Sequence, residues 1–168
     1  MSDGIDWNDW ERQLAELWAA FDPIDAETFI ARIEALAAEL PAGHAVGLFE
    51  QASAQDSTGH ETEAEPLYRQ ALENGLKGIR RRRATIQLAS TLRNLGRAGE
   101  GVALLTAEQT KPSDELDDAV AAFLALCLTP VVRKKRPRLR SAACRATSPA
   151  TIVRSSATPR RCCQISRR

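Results

Sequence analysis

The chain has 168 residues, 43% of them hydrophobic and 27% charged, with a net charge of +1, a composition that fits one soluble domain of ordinary size. It holds no run of about eighteen apolar residues and opens on an acidic segment, Met1 to Asp6, so neither a membrane span nor a signal peptide is expected and the predicted compartment is the cytoplasm. The charge is unevenly placed: residues 1–129 hold all 22 acids against 11 Lys and Arg, a net −11, whereas residues 130–168 hold 12 basic residues and no acid.

Apolar positions at helical spacing, punctuated by Gly, Pro and Asp, predict seven helices before Thr129. The first, about Asp6 to Phe21, places Trp7, Trp10, Leu14, Leu17, Trp18 and Phe21 on one stripe and is closed by Asp22-Pro23. Asp25 caps the second, which runs through about Leu40 and buries Phe29, Ile30, Ile33, Leu36, Ala37 and Leu40. Together they form an N-terminal helical hairpin, residues 1–43, packed on the helices of the region 44–129. Those helices stand at about 44–56, 61–75, 78–95, 97–109 and 114–128. Their loops are too short for anything but antiparallel neighbours.

The spacing repeats. Leu48 and Ala52 lie four apart, Gly59 ends their helix, and Ala64, Tyr68 and Ala71 come at spacings of four and three on the next. Small residues at Ala52 and Ala64 let two helices approach closely, Gly59 supplies the turn, and Tyr68 with Ala71 packs against the next pair. A second unit carries Leu88-Ala89, Leu92, Gly96, Gly101 and Leu105, with Gly96 falling 37 residues after Gly59. This pattern resembles the tetratricopeptide repeat, a helix pair of about 34 residues. It departs from that repeat at Gln51 and Gln55, where Leu and an aromatic residue are usual, at Leu76, where Pro is common, at Glu108, where a small residue is expected, and at Pro112, one place early. The longer strings, Asp56 to Arg69, Arg80 to Arg83 and Gln87 to Arg97, make residues 5–128 similar to the group 5 tetratricopeptide repeat family of bacterial proteins. That resemblance implies an all-helical repeat domain without a catalytic centre, and it names no partner.

From Pro130 onward the chain has no aromatic residue and no sustained periodicity. Such a composition cannot offset the entropy of ordering, so residues 130–168 are predicted to be a disordered basic tail. Codon arithmetic adds a second reading. Read from the third base of each codon, Pro130 to Arg138 permits Gly-Arg-Thr-Glu-Lys-Ala-Ala-Ala and Arg138 to Ser141 continues with Leu-Ala-Leu, a string similar to Gly96-Arg97-Ala98-Gly99-Glu100 and its continuation to Leu105. The shifted Gly falls about 35 residues after Gly96, one period on. A frameshift at this point replaces the second helix of the last repeat with out-of-frame peptide and leaves that repeat incomplete.

Catalytic chemistry finds no support in the residue pattern. His44 and His60 flank one helix without a Cys or His at metal-ligand spacing; Cys127, among Ala125, Leu126 and Leu128, reads as a buried small residue; and Cys144, Cys162 and Cys163 lack the spacing of a zinc knuckle. The acids Glu61, Glu63, Glu65, Asp117 and Asp118 sit at helix starts, where the dipole favours carboxylates. There is no Gly-rich phosphate loop, nucleophile elbow or recognisable Ser-His-Asp spacing. No catalytic residue, cofactor or metal is expected, and the chain reads as a non-enzyme.

The four-residue run Arg80 to Arg83 stands at a helix start, where the dipole disfavours cations. One reading pairs it with the acidic surface at Glu61, Glu63, Glu65 and Glu73. The other points at least Arg83 into a groove, because Arg83, Gln87, Ser90 and Asn94 recur at four, three and four beside the apolar stripe Ala84, Leu88, Leu92 and Leu95.

The sequence therefore predicts an all-α, tetratricopeptide-like helix-turn-helix solenoid with a disordered basic C-terminal tail, acting as a protein or peptide interaction module. By the geometry that the resemblance implies, the first helix of each pair lines the concave surface. Phe49, Ser53 and Asp56 would then lie beside Arg83, Gln87, Ser90 and Asn94 as partner-binding residues. A donor-rich groove of this kind suits an extended acidic peptide or a C-terminal carboxylate. The alternatives are nucleic-acid binding through the basic tail and self-association through an uncapped C-terminal end. The net charge of −11 before residue 130 and the absence of stacking aromatics after it weigh against the first.

Overall fold

The structure, a computed structural model, describes residues 5–22 and 24–129. The expectations for residues 130–168, disorder and a shifted reading frame, fall outside the described residues. Seven helices succeed one another: α1 (Trp7–Ala19), α2 (Ala26–Ala37), α3 (Ala45–Ser57), α4 (Glu61–Glu73), α5 (Gly78–Asn94), α6 (Ala98–Gln109) and α7 (Asp117–Leu128). No strand occurs among the described residues. Each helix stands where the periodicity predicts it. The largest offsets are the end of α2 and the start of α7, each about one turn inside the prediction. At α7 the cause is local: the Asp114 carboxylate accepts from the Leu116 backbone N–H at 2.8 Å, which holds residues 114–116 in a turn.

Local chemistry fixes the helix starts and the repeat turns. The Asp6 side chain accepts from the backbone N–H groups of Asn8 (3.0 Å) and Asp9 (3.3 Å), and Asp25 accepts from that of Thr28 (2.9 Å), satisfying donors that a helix start otherwise leaves unpaired. Gly59 and Gly96 end α3 and α5 in the same way, at φ +83 and +84, a region where a side chain is strained. The residue after each glycine returns a backbone bond to the helix, His60 to the Gln55 carbonyl at 2.9 Å and Arg97 to that of Leu92 at 2.7 Å. The two units thus share one turn as well as one spacing.

Every helix packs on its neighbours in the chain, and α5 also touches α3 and α7, so the first helices of successive pairs adjoin. Three apolar clusters result. The hairpin α1–α2 buries Trp10, Leu14, Phe29 and Ile33 against Ala54 of α3. The α3–α4 pair buries Ala52, Ala64, Tyr68 and Ala71 against Ala84, Leu88 and Leu92 of α5. Ile86, Ala89, Leu105, Val120 and Cys127 join α5, α6 and α7. At this last junction Gly101 allows a backbone approach, because a Cβ there would lie 2.8 Å from the Ala89 carbonyl oxygen and 3.0 Å from Cys127 Sγ.

Candidate functional site

The first helices of three consecutive pairs, α1, α3 and α5, enclose a groove of about 530 Å³. Of the residues that the sequence selects, Phe49, Ser53, Arg83 and Gln87 line it. Arg83 and Gln87 are four apart on α5 and therefore share one face. Phe49 is its apolar floor, buried with its ring centroid 6.3 Å from that of Tyr68. Ser53 Oγ donates to the Phe49 carbonyl at 2.9 Å and lies 3.5 Å from Gln87 Oε1. Arg83 is exposed and enters no ion pair among the described residues.

The other three candidates lie outside the lining. Asp56 accepts from Thr91 Oγ1 at 3.0 Å and from the Tyr68 hydroxyl at 3.4 Å, tying α3 to α4 and α5. Burial pushes its carboxyl above the ordinary range, and the two hydrogen bonds oppose that rise. Asn94 is exposed at the far end of α5 and donates to Glu61 Oε1 on α4 at 3.4 Å. Ser90 is half-buried on α5 without lining the groove.

Sequence reasoning missed one wall and one charge cluster. The wall is α1, which contributes Glu11, Leu14, Ala15 and Trp18. The cluster centres on Arg80, whose Nη1 and Nη2 donate to the two carboxylate oxygens of Glu11 at 2.8 and 2.6 Å and whose Nε donates to Glu50 Oε1 at 3.1 Å. The other Glu50 oxygen accepts from Trp18 Nε1 at 3.1 Å. Burial pushes the Glu50 carboxyl upward, opposed by the Trp18 N–H and by Arg80. Three and four residues away along its helix face Glu50 has Val46, Gly47, Ser53 and Ala54, and a charge among those apolar and small residues is its only signal in the sequence. The approach of α1 to α5 is a contact between residues 69 apart and has no local signature.

Arg81 and Arg82 are also paired, though with different acids from those that the sequence suggested. Arg81 donates through both terminal nitrogens to Glu108, at 2.9 Å for Nη1. Arg82, only 3% exposed, reaches the Pro112 carbonyl at 3.1 Å, Asp114 at 2.7 Å and Asp117 at 2.5 Å. Its Nε stands 3.5 Å from Glu108, at ion-pair distance without hydrogen-bond geometry. Glu61, Glu63, Glu65 and Glu73 take no part; Glu65 is held by Arg69 at 2.7 Å and Arg97 at 2.9 Å. The reason is geometric. Successive helical residues point about 100° apart, so four consecutive arginines on a helix with neighbours on several sides are dealt to different partners; Arg80 and Arg83 both line the groove, and Arg83 is the one without a carboxylate partner among the described residues.

Comparison with protein families gives a match to the tetratrico peptide repeat over residues 45–144. The chain belongs to this family. The match takes in α3 to α7 and runs on past Thr129, while α1 and α2 precede it. No curated protein and no solved structure gives a significant match. As a tetratricopeptide repeat protein the chain falls in a class of helical scaffolds that mediate protein interactions. Among the described residues no group of three or more His, Cys, Asp or Glu is placed to hold a metal ion, and no helix is long and apolar enough to cross a membrane.

Proposed function

We propose that this tetratricopeptide repeat protein binds an extended peptide in the groove between α1, α3 and α5, and that Arg83 and Gln87 read an acidic group on it, either a side chain or a C-terminal carboxylate. One observation carries the reading: of four consecutive arginines, three are consumed by internal carboxylates, and the one left unpaired among the described residues lines the groove. A guanidinium with open donors beside an amide is suited to a carboxylate, and hydrogen bonds to a charged group contribute about 1.5–3 kcal/mol each. Phe49 and Trp18 supply apolar surface for the neighbouring residue of the ligand. Titration of acidic and basic peptide libraries onto the full chain tests this. Acidic peptides should bind and lose at least tenfold in affinity with Arg83→Glu. A preference for basic peptides overturns the assignment.

Self-association is supported by a different feature, the exposure of Leu126 (46%) and Leu128 (65%) on α7. Light scattering across a concentration series separates it from peptide binding, because Leu126→Glu should abolish association while leaving the groove untouched.

A further inference from the structure

The groove holds a second arginine, and its environment is asymmetric. Arg80 is gripped by two carboxylates of unlike character. Glu50 is 6% exposed and has both oxygens occupied, one by Arg80 Nε at 3.1 Å and one by Trp18 Nε1 at 3.1 Å. Glu11 stands on α1 at the groove rim with its side chain 42% exposed, and it takes both terminal nitrogens of Arg80 in a fork at 2.8 and 2.6 Å. Those two nitrogens are the donors that a planar carboxylate from a ligand would use. Water reaches the Glu11 carboxylate (42% exposed) far more than the Glu50 carboxylate (6%), so a ligand carboxylate can approach and take over the fork without either charge being left buried and unpaired. Glu50 is therefore a fixed support, and Glu11 is replaceable.

We infer that Glu11 is an internal competitor that masks Arg80, and that the groove selects peptides carrying two carboxylates, one on Arg83 and one that displaces Glu11 from Arg80. The inference rests on the proposal that the groove binds an acidic peptide. Arg80 and Arg83 are three apart on α5, so they are neighbours on one helix face, about 5–6 Å apart at Cβ. Acidic residues at alternate positions of an extended peptide project to the same side, about 6.6 Å apart, and span that separation. A ligand with a single carboxylate engages Arg83 and leaves the Glu11–Arg80 pair closed. Glu11 would then set specificity by charge count, because displacing it is compensated only when a second carboxylate takes its place.

The test uses the full chain and three capped peptides: Ala-Glu-Ala-Glu-Ala, a single-Glu version and an all-Gln version, each acetylated and amidated so that no terminal charge contributes. Wild type should bind the two-Glu peptide more tightly than the one-Glu peptide and should not bind the Gln peptide. Glu11→Gln should tighten the two-Glu peptide by about twofold to fivefold, the range expected for an exposed pair, and leave the one-Glu peptide within twofold. In an Arg80→Gln background the same change should have no effect. Equal tightening by Glu11→Gln with and without Arg80 overturns the inference in favour of a general charge effect, and no tightening or a loss of affinity overturns it in favour of a purely structural pair. If Arg83→Gln weakens binding at least tenfold while Glu11→Gln does nothing, the masking falls and the groove reading stands. If the two-Glu peptide binds neither wild type nor Glu11→Gln, both fall.

Discussion

The two ends of this array are closed by different physics. At the N-terminal end, α1 and α2 bury a dense aromatic cluster: Trp10 and Phe29 are fully buried, and Phe29 takes edge contacts from Trp18 and Phe21 with ring centroids 5.0 and 4.8 Å away. The charged contact there, Glu11 on Arg80, joins to α5 a hairpin that already has its own core. At the C-terminal end α7 buries only Val120 and Cys127 fully and leaves Leu126 and Leu128 exposed. Beside the cluster of Ile86, Ala89 and Leu105 that receives Val120 and Cys127, its attachment uses charge: Arg82 joins α5 to Asp114 and Asp117, and next to it Glu108 of α6, 1% exposed, is bound by Arg81 of α5 and by Lys111. Aromatic burial dominates one end and a buried charge network reinforces a smaller apolar cluster at the other, so the ends should respond to different perturbations.

The largest effect expected from breaking this contrast is at Trp10. Replacing it with Ala removes a fully buried indole and its 3.0 Å hydrogen bond to the Leu36 carbonyl, and should destabilise the N-terminal end by about 3–5 kcal/mol through lost burial and a residual cavity. Amide hydrogen exchange resolves the location: α1 and α2 should lose protection while α7 keeps it, as nearest-neighbour stability in a repeat array requires. Equal loss at α7 would show that the ends unfold as one unit.

The next effect is at Glu108. Glu108→Ala takes the carboxylate from Arg81 and Lys111 and opens space beside Arg82, and should destabilise the α5–α6–α7 junction by roughly 1.5–3 kcal/mol, the usual range for hydrogen bonds to charged groups. Here α7 should lose protection and the three tryptophans, all on α1, should report no change in fluorescence. A shift in that fluorescence would mean that the charge network supports the whole array.

These residues also show how far the sequence could be read. The seven helices and their turns were legible because the signals are local: a 3.6-residue apolar period, Asp at caps, and Gly59 and Gly96 at matching turns. Glu108 stood out as a departure from the repeat, but its compensation did not, because Arg81 lies 27 residues away and nothing local states that α5 and α6 bring them together. The groove was legible to the extent that it depends on spacing along α5, which set Arg83 and Gln87 on one face. Its α1 wall was not, since the hairpin's approach to α5 is decided by tertiary packing. Asn94 has the same spacing but stands outside the lining, where it donates to Glu61 on the adjoining helix.

Acid should act with opposite sign at two buried carboxylates, Glu50 of α3 and Glu108 of α6. Hydrogen bonds from Arg81 hold the Glu108 carboxyl below its ordinary range, so its contribution is complete above the unfolded value of about 4.3 and is lost as pH falls through the lowered folded value. Burial holds the Glu50 carboxyl above its ordinary range. Its folded form binds a proton more readily than its unfolded form, so stability at that site rises as pH falls from neutral through the raised value. Between neutral pH and about 4.3, α3 should therefore hold or gain protection. Below about 4.3, α7 should loosen first. A uniform acid response at α3 and α7 would remove the distinction.

The smallest expected change in stability is the one that matters most for binding. Arg83 is exposed and lies between Arg82, which is buried in the α7 network, and Ala84, which is buried in the core beside Leu88. Its own side chain is committed to neither. Arg83→Gln keeps a long polar side chain of good helix propensity, so thermal unfolding should move by no more than about 0.5 kcal/mol, as for other surface substitutions. Arg82→Gln, one position earlier, should destabilise the fold measurably and loosen α7, because it leaves Asp114 and Asp117 without their cation. Two adjacent arginines would then differ in kind: one whose loss is read in a melt, and one whose loss is read only in a binding isotherm. If Arg83→Gln also lowers helicity or shifts the melt by more than about 1 kcal/mol, a threshold that only the named packing and pairing losses reach, Arg83 belongs with its neighbours as a structural residue and the groove loses its unpaired cation.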